Sequence, residues 1–529
     1  MRTKTSMKAK RSLRRWGVPC AVMLAGVLAT IASLAQPVVQ WAATSAGAVA
    51  GYPSGLFLTP ARELYLLGSF DSATFAQPET VIHKFDLQGN RIGSQASRGE
   101  RIASMASDAQ GNIVMVGRVW DAERLGTGVV NDLYLGKYSP AGKLIWERTL
   151  GSPRDLGLRS EIVGGNGVAI DRDGNIFVAG NSTGSAVFGN VTFPGTAGGP
   201  LLCKFSPAGS LVWARRLEGP ADKVLGYGGT ATSIAVDAEG HIVFTGYLYN
   251  GAIDFWGTTV TISGPYDSNS FIAKVLPNGD VAWVVPNFAF ASIAVDRQNN
   301  IYFNGRVPQG GMQCGKLNPA GEVLWQRNIQ NASGGGVALN GKGEPIFNAE
   351  LYRSIILDGI VAKGPPPPES DAQEILLCKA SVDGKFEWAI TTGGRTLNRC
   401  AGAVSDGADN IYLAGTVRCI WQTDVGWVCE SATLDRFELP TLPEAAYDTF
   451  VAKLTDPSSV TVALTAARVD SGLVLSWPAA VTGFVLEFTD ILTAPIWSVI
   501  DAIPVVEGEQ NVITVKASGS VRFYRLRKP

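Results

Sequence analysis

Two short motifs alternate along this chain seven times, and few folds other than a ring of small sheets accommodate that rhythm. The first reads small–apolar–Ala–Val–Asp–x–x–Gly–Asn–Ile–aromatic–Val–x–Gly. It stands at 104–117, 167–180, 233–246, 292–305 and 402–415, with degenerate copies at 56–68 and 336–350. The second reads apolar–x–small–Lys–apolar–x–Pro–x–Gly–x–apolar–x–Trp. It stands at 133–148, 201–215, 271–285, 313–327 and 376–390, without its Trp at 81–93 and broken off at 450–460. In each motif apolar residues alternate on both sides of a Gly, Asn, Asp or Pro turn, which is the pattern of a β-hairpin. Two hairpins per repeat make four strands per unit, the build of a propeller blade. The expectation is an all-β chain with a β-propeller of about seven blades; six or eight remain open.

The seventh copy stops after Lys453, before an outermost strand. The segment 38–47, VVQWAATSAG, matches the fourth strand of the sixth unit, with Trp41 over Trp388. This N-terminal strand is expected to close the last blade and so remove exposed sheet edges.

The recurring pairs are Lys137 and Trp146, Lys204 and Trp213, Lys274 and Trp283, Lys316 and Trp325, Lys379 and Trp388; each Trp follows its Lys by nine residues. Across a Pro-x-Gly turn this spacing sets the two opposite each other on one face. A lysine stem lying over the indole, with a cation–π contribution, is the expected structural role. The recurring Asp108, Asp171, Asp237, Asp296 and Asp406 open turns, where Asp bonds nearby backbone amides. "DRDGN" at 171–175 lacks the remaining ligands of a calcium loop, so no metal is expected.

The alternating motifs resemble the bacterial SBBP β-propeller repeat family, as in "SIAVDAEGHIVFTGYL" followed by "FIAKVLPNGDVAW". The resemblance covers about 56–455 and implies a propeller in an extracytoplasmic setting, without a defined shared activity.

Residues 1–35 carry seven basic side chains and no acidic ones, then an apolar run from Val18 to Leu34, with Ser33 and Ala35 at the cleavage positions. That order is a signal peptide, which makes the protein secreted, at the cell surface or in the periplasm. Removing those seven from 45 basic residues leaves 38 against 46 acidic, a net of −8. Nucleic acid is a poor partner for that charge. No transmembrane segment is expected after processing, and the mature chain is expected to be a monomer. From 459 to 529 the repeat vocabulary gives way to short strands around Trp477, Trp497 and Tyr524, read as a small β-sandwich. This tail is similar to a C-terminal module of secreted bacterial proteins. The domains are therefore 1–35, 36–458 and 459–529.

The two histidines, His83 and His241, lie in different repeats. No nucleophile elbow, phosphate loop or zinc motif occurs, so neither a catalytic residue nor a cofactor is assigned. Cys203, Cys314 and Cys378 read as buried strand thiols. Cys419 and Cys429 flank "CIWQTDVGWVC" and suit a disulfide in an exported protein, with Cys400 as the alternative partner. The connections between second and third strands are long and unequal, and they carry Trp120, Phe255, Trp256, Tyr266, Trp421 and Trp427. Loops on a rigid scaffold commonly bind, and these aromatics suit a glycan or a protein; pinning each loop to its blade is the competing role. The function read from the sequence is a secreted, non-enzymatic binding or scaffold protein. A structural envelope component is the alternative, and a carboxylate-dependent polysaccharide enzyme is the third possibility.

Overall fold

The computed structural model describes residues 36–44, 51–70, 80–97, 100–120, 131–151, 163–193, 198–218, 229–249, 251–263, 268–288, 290–307, 311–365, 372–394, 396, 398–418, 420–422, 426–428, 431–439, 447–456, 464–469, 472–479, 484–491, 496–508, 510–516 and 522–527. The expected signal peptide, Tyr266, Cys419 and Cys429 lie outside the described residues.

The described strands of the repeat region form seven antiparallel sheets, the blades of a β-propeller; six have four strands, and the sixth blade's four strands are extended to six by the hairpin Ala432–Leu434 and Phe437–Leu439. Blade 1 runs Gly51–Leu58, Leu64–Phe70, Thr80–Phe85, Arg91–Ala96, and blade 2 runs Glu100–Ser107, Ile113–Trp120, Asn131–Tyr138, Leu144–Leu150. Blades 3 to 6 repeat this order, ending in Leu211–Arg216, Val281–Phe288, Val323–Ile329 and Phe386–Gly393. Blade 7 comprises Arg399–Ser405, Asn410–Arg418, Tyr447–Thr455 and, outermost, Val38–Thr44 from the other end of the chain. Successive innermost strands pack side by side, and the first of blade 1 meets that of blade 7, so the sheets close into a ring. The propeller unit ends at Asp456.

Each blade forms because its turns leave few backbone alternatives. Asp171 Oδ1 accepts from the amides of Asp173 and Asn175 at 3.0 and 2.8 Å, and its Oδ2 accepts from Asn175 Nδ2 at 2.8 Å. The same bonds recur at Asp108, Asp296 and Asp406. In blade 6 the roles are exchanged, with Asn340 Nδ2 donating to Glu344 Oε2 at 2.8 Å. These carboxylates are turn fasteners. Between blades the core is aliphatic and aromatic: Phe177, Phe244, Phe271 and Phe303 are fully buried, as are the free thiols Cys203, Cys314 and Cys378.

Lys137, Lys204, Lys274, Lys316 and Lys379 do pair across the strands with Trp146, Trp213, Trp283, Trp325 and Trp388, and Lys453 pairs with Trp41. The expected lysine–indole contact is nevertheless corrected. Lys137 Nζ meets Asp108 Oδ2 at 2.9 Å and Lys274 Nζ meets Asp237 Oδ2 at 2.8 Å, each within its own blade. Lys204 and Lys316 lie over the rings of Phe177 and Tyr302 on the adjoining strand. A buried ammonium gains more from a carboxylate than from an indole face.

The indoles instead reach the next blade. The Nε1–H of Trp213, Trp283 and Trp325 donates to the carbonyls of Pro277, Pro319 and Val382 at 3.2, 3.1 and 2.9 Å. Each acceptor stands two residues before a turn glycine, Gly279, Gly321 or Gly384, whose φ is +93, +86 or +83°. A Cβ at Gly321 or Gly384 would come within 2.8 or 2.6 Å of the indole, so glycine is needed for contact as well as for conformation. Trp41 continues the pattern from blade 7 to blade 1, donating to Leu87 O at 3.2 Å and covering Gly89. Trp388 donates to Asp456 Oδ1 at 3.2 Å, where the seventh copy departs from the motif.

A second compact unit begins at Pro457. It holds one sheet of Thr465–Val469, Gly472–Pro478, Gln510–Val515 and Val505–Glu507, and another of Ser498–Val499, Val485–Thr489 and Phe523–Arg527. Leu475, Trp477, Leu486, Ile513 and Tyr524 form its core. Glu487 takes Arg525 and Arg527 at 2.7 and 2.6 Å, and Arg525 lies over Trp497. Among the described residues, no helix is long and apolar enough to cross a membrane.

Candidate functional site

Antiparallel order puts both hairpin turns of a blade on one face of the ring. The connections between second and third strands lie on the opposite face. On that face several connections form a small extra hairpin: Ala186–Phe188 with Val191–Phe193, Gly251–Phe255 with Thr258–Ile262, Ile355–Leu357 with Ile360–Ala362, and Ala432–Leu434 with Phe437–Leu439. Some of these hairpins reach the outer strand of the preceding blade, whereas Asp358 in the third accepts from Phe386 N on the outer strand of its own blade. Val187 N donates to Gly151 O at 2.9 Å, and Leu434 pairs with Thr392.

Two expected ligand contacts are thereby corrected. Phe255 is fully buried and meets Phe271 edge to face at 5.0 Å. Trp256 takes a φ of +52°, stacks on Phe244, lies under Arg215 and donates to Arg216 O of blade 3 at 3.1 Å. Its ring joins two blades rather than facing a ligand. Pinning wins because an amphipathic indole gains both burial and a hydrogen bond there. Trp421 and Trp427 are register partners across the hairpin Ile420–Gln422 and Gly426–Val428, and Trp120 ends the second strand of blade 2. Cys400, considered as a disulfide partner, is a free thiol.

The face presents a different set of groups at the inner strand ends, which the sequence reading missed. The residue after the second-strand glycine of each blade is Ser69, Arg118, Asn181, Tyr247, Arg306 and Thr416 in blades 1, 2, 3, 4, 5 and 7, with Glu350 after Ala349 in blade 6. Arg101 stands directly opposite Arg118 and is exposed. Arg306 and Arg399 are also exposed and lie within electrostatic reach of Glu350. Burial raises the Glu350 carboxyl above its ordinary value, although Arg399 and Arg306 and a bond to Tyr352 oppose the rise. Arginines thus stand at these strand ends on blades 2, 5 and 7, and those of blades 5 and 7 share the Glu350 carboxylate. Their guanidinium groups suit carboxylate, sulfate or phosphate oxygens. The signal available in the sequence was that this one repeat position changes chemistry from blade to blade.

On the same face lies a buried polar cluster. Glu374 is buried, and its Oε2 accepts from Thr392 Oγ1 at 2.6 Å and Asn398 Nδ2 at 2.9 Å. Burial outweighs these bonds and pushes its pKa from 4.5 up to about 8. The native state therefore holds a proton that the unfolded chain releases between those values. Glu374 contributes fully to stability below pH 4.5, and its contribution is lost as pH rises through about 8. Glu374→Gln keeps a neutral hydrogen-bonding group. It is expected to match the wild type at pH 5 and to melt above it at pH 9, by at most about 4 kcal/mol. Melting curves at the two pH values test this, and equal wild-type and variant midpoints at pH 9 would refute it.

Among the described residues, one group has metal-ligand spacing: Asp237, Glu239 and His241, with ligand atoms within 4.8 Å of one another. Asp237 Oδ2 already receives Lys274 Nζ at 2.8 Å and His241 Nδ1 at 2.9 Å, and Glu239 is bonded by Asn299. A cation there would have to displace the lysine.

Residues 156–188, the first two strands of blade 3 and the start of its extra hairpin, match the model of the SBBP family, described as a β-propeller repeat. No curated protein matches the chain. Solved structures similar to it include a catalytically inactive virginiamycin B lyase from Staphylococcus aureus with quinupristin. It is 12% identical, with a TM-score of 0.40 over 80% of this chain and 99% of that one. The BamB protein of Moraxella catarrhalis is 12% identical, with a TM-score of 0.35 over 79% and 100%. A Dos1 propeller is 9% identical, with a TM-score of 0.38 over 79% and 95%.

Proposed function

We propose that this β-propeller chain, whose third blade carries a match to the SBBP repeat at 156–188, is a secreted, non-enzymatic binding protein. It holds a glycan or protein ligand on the face that carries the long connections. One observation carries the proposal. The turn face repeats Asp, Pro, Gly and Trp from blade to blade, whereas the equivalent inner positions of the other face read Arg118, Asn181, Tyr247, Arg306, Glu350 and Thr416. Where the turn residues stay constant and this position changes from blade to blade, its exposed member Arg306, with exposed Arg399 near the same Glu350, is available for recognition. The arginines make the preferred ligand an anionic one. Trp120, Trp421 and Trp427 stand on the same side.

The mature protein should bind an acidic polysaccharide in a glycan array, or an acidic component of an envelope extract. Arg306→Ala combined with Arg399→Ala should weaken binding about tenfold or more while lowering the melting temperature only slightly, because both side chains are exposed and their shared partner Glu350 can take up a proton. Undiminished binding by the double variant would remove this face from the proposal, and turnover of the polysaccharide would replace it with an enzyme.

A second possibility, a structural role in the envelope, is favoured by the C-terminal unit. Ile491, Ile496, Ile503, Val505 and Val506 are at least 60% exposed there, an apolar surface suited to attachment. Tight envelope association that is lost on removing 457–529, with no ligand found, would favour it.

A further inference from the structure

Six of the seven blade junctions are fastened by a tryptophan on the outer strand of one blade and a turn of the next, and the junction from blade 1 to blade 2 is not. Where the other outer strands place tryptophan opposite their lysine, blade 1 places Gly93 opposite Lys84. The receiving turn of blade 2 is nevertheless complete. Ser139–Pro140–Ala141–Gly142 has the same sequence as Ser206–Pro207–Ala208–Gly209 of blade 3. Both turns close with the same two backbone bonds, and their glycines have φ of +77 and +78°.

The blade 3 turn is covered. A Cβ on Gly209 would lie 2.9 Å from the Trp146 ring, and Arg148 donates to the carbonyls of Gly209 and Ala208 at 3.1 and 3.3 Å. Gly209 is buried as a result. Gly142 is exposed, and among the described residues nothing lies within 4 Å of a Cβ built there. The same Trp-x-Arg pair recurs as Trp213 with Arg215, beside Gly279, and as Trp325 with Arg327, which donates to Gly384 O. The occupant that fits such a turn is therefore displayed three times in this molecule.

We propose that the notch between blades 1 and 2 is a docking site for an extended segment of another protein that carries a tryptophan and, two residues later, an arginine. The segment lies along the outer strand Arg91–Ala96, five of whose six residues are exposed. Its indole leans over Gly93 onto Gly142, and its indole N–H donates to Pro140 O. Its guanidinium caps the carbonyls of the turn as Arg148 does in blade 3. Strand addition supplies backbone bonds, and the aromatic pocket supplies selectivity. The notch is on the turn face, opposite Arg306 and Arg399, so failure here leaves the proposed function standing.

The probe is a labelled synthetic peptide copying Lys143–Gly151, titrated into the mature protein and followed by fluorescence anisotropy. It should bind with a Kd on the order of 10⁻⁴ M. Replacing its tryptophan by alanine should weaken binding about tenfold or more. Gly93→Trp, which installs the missing indole where only Lys84 Cβ lies within 4 Å, at 3.7 Å, should abolish binding and raise the melting temperature. Gly142→Asn tolerates the positive φ and blocks the indole; it should abolish binding while leaving the melting temperature unchanged. No binding to the wild type, equal binding of the two peptides, or binding retained by both protein variants would overturn the proposal. Self-association of the wild type that Gly93→Trp abolishes would also overturn it, assigning the notch to a second copy of this chain.

Discussion

Deleting residues 36–47 from the mature chain is expected to lower the melting temperature by roughly 10 °C. The strand Val38–Thr44 pairs with Tyr447–Thr455 through six residues, from Val38 opposite Thr455 to Thr44 opposite Phe450. Val39 is fully buried in the core shared by blades 6 and 7, with Trp388, Leu434 and Phe450. Trp41 packs near Tyr412 and reaches blade 1 at Leu87 and Gly89. Burial of Val38, Val39 and Trp41 contributes on the order of 6 kcal/mol. The lost strand also exposes an apolar edge, so aggregation on heating should increase. Trp41→Ala alone should cost about 3 kcal/mol, because it opens one junction and keeps the strand. Scanning calorimetry of the three proteins reads both effects. An unchanged midpoint in the deletion would mean that blade 7 is complete without its N-terminal strand.

How much of this could be read from the sequence depends on how far apart the partners lie. The hairpins, the Asp turns and the opposition of Lys137 to Trp146 are set by neighbours within a dozen residues, and the motif states them directly. The destination of each indole is not local. Trp213 meets Pro277, and Trp325 meets Val382, only because a ring brings the next blade alongside. The arginine two places after Trp146, Trp213 and Trp325 was visible in WER, WAR and WQR. Its meaning needs the turn of the neighbouring blade. The long connections misled for a related reason. Length and aromatic content look the same in a binding loop and in a hairpin folded back onto the preceding blade, and contacts such as Trp256 to Arg216 O separate the two. Arg118 and Arg306 were legible as irregularity at a single repeat position, a signal that motif matching averages away.

The lysine of blade 6 differs from its counterparts, and its replacement should have the second large effect. Lys137 and Lys274 each meet one carboxylate, whereas Lys379 Nζ meets three: Glu344 at 2.6 Å, Glu387 at 2.9 Å and Asp456 at 3.0 Å. Lys379 and Asp456 are both fully buried. Burial alone would lower the lysine pKa, but the bond to Glu344, the charge of Asp456 and the bond to Glu387 outweigh it and hold the ammonium charged. Lys379→Met preserves much of the side-chain volume and strands the carboxylates. It should cost about 3–5 kcal/mol, the penalty for removing one partner of a buried pair. A second substitution separates electrostatics from packing. Asp456→Asn in the wild type should destabilise, because it removes a charge that Lys379 needs. In the Lys379→Met background the same change should stabilise, because it removes a buried charge without a cation and keeps an acceptor for Trp388 Nε1–H. Denaturant unfolding of the four proteins forms a double-mutant cycle, and the decisive feature is this reversal of sign. If Asp456→Asn destabilised both backgrounds equally, Lys379 would act through packing alone, and the junction between blades 6 and 7 would be held by Trp388 and its aliphatic neighbours.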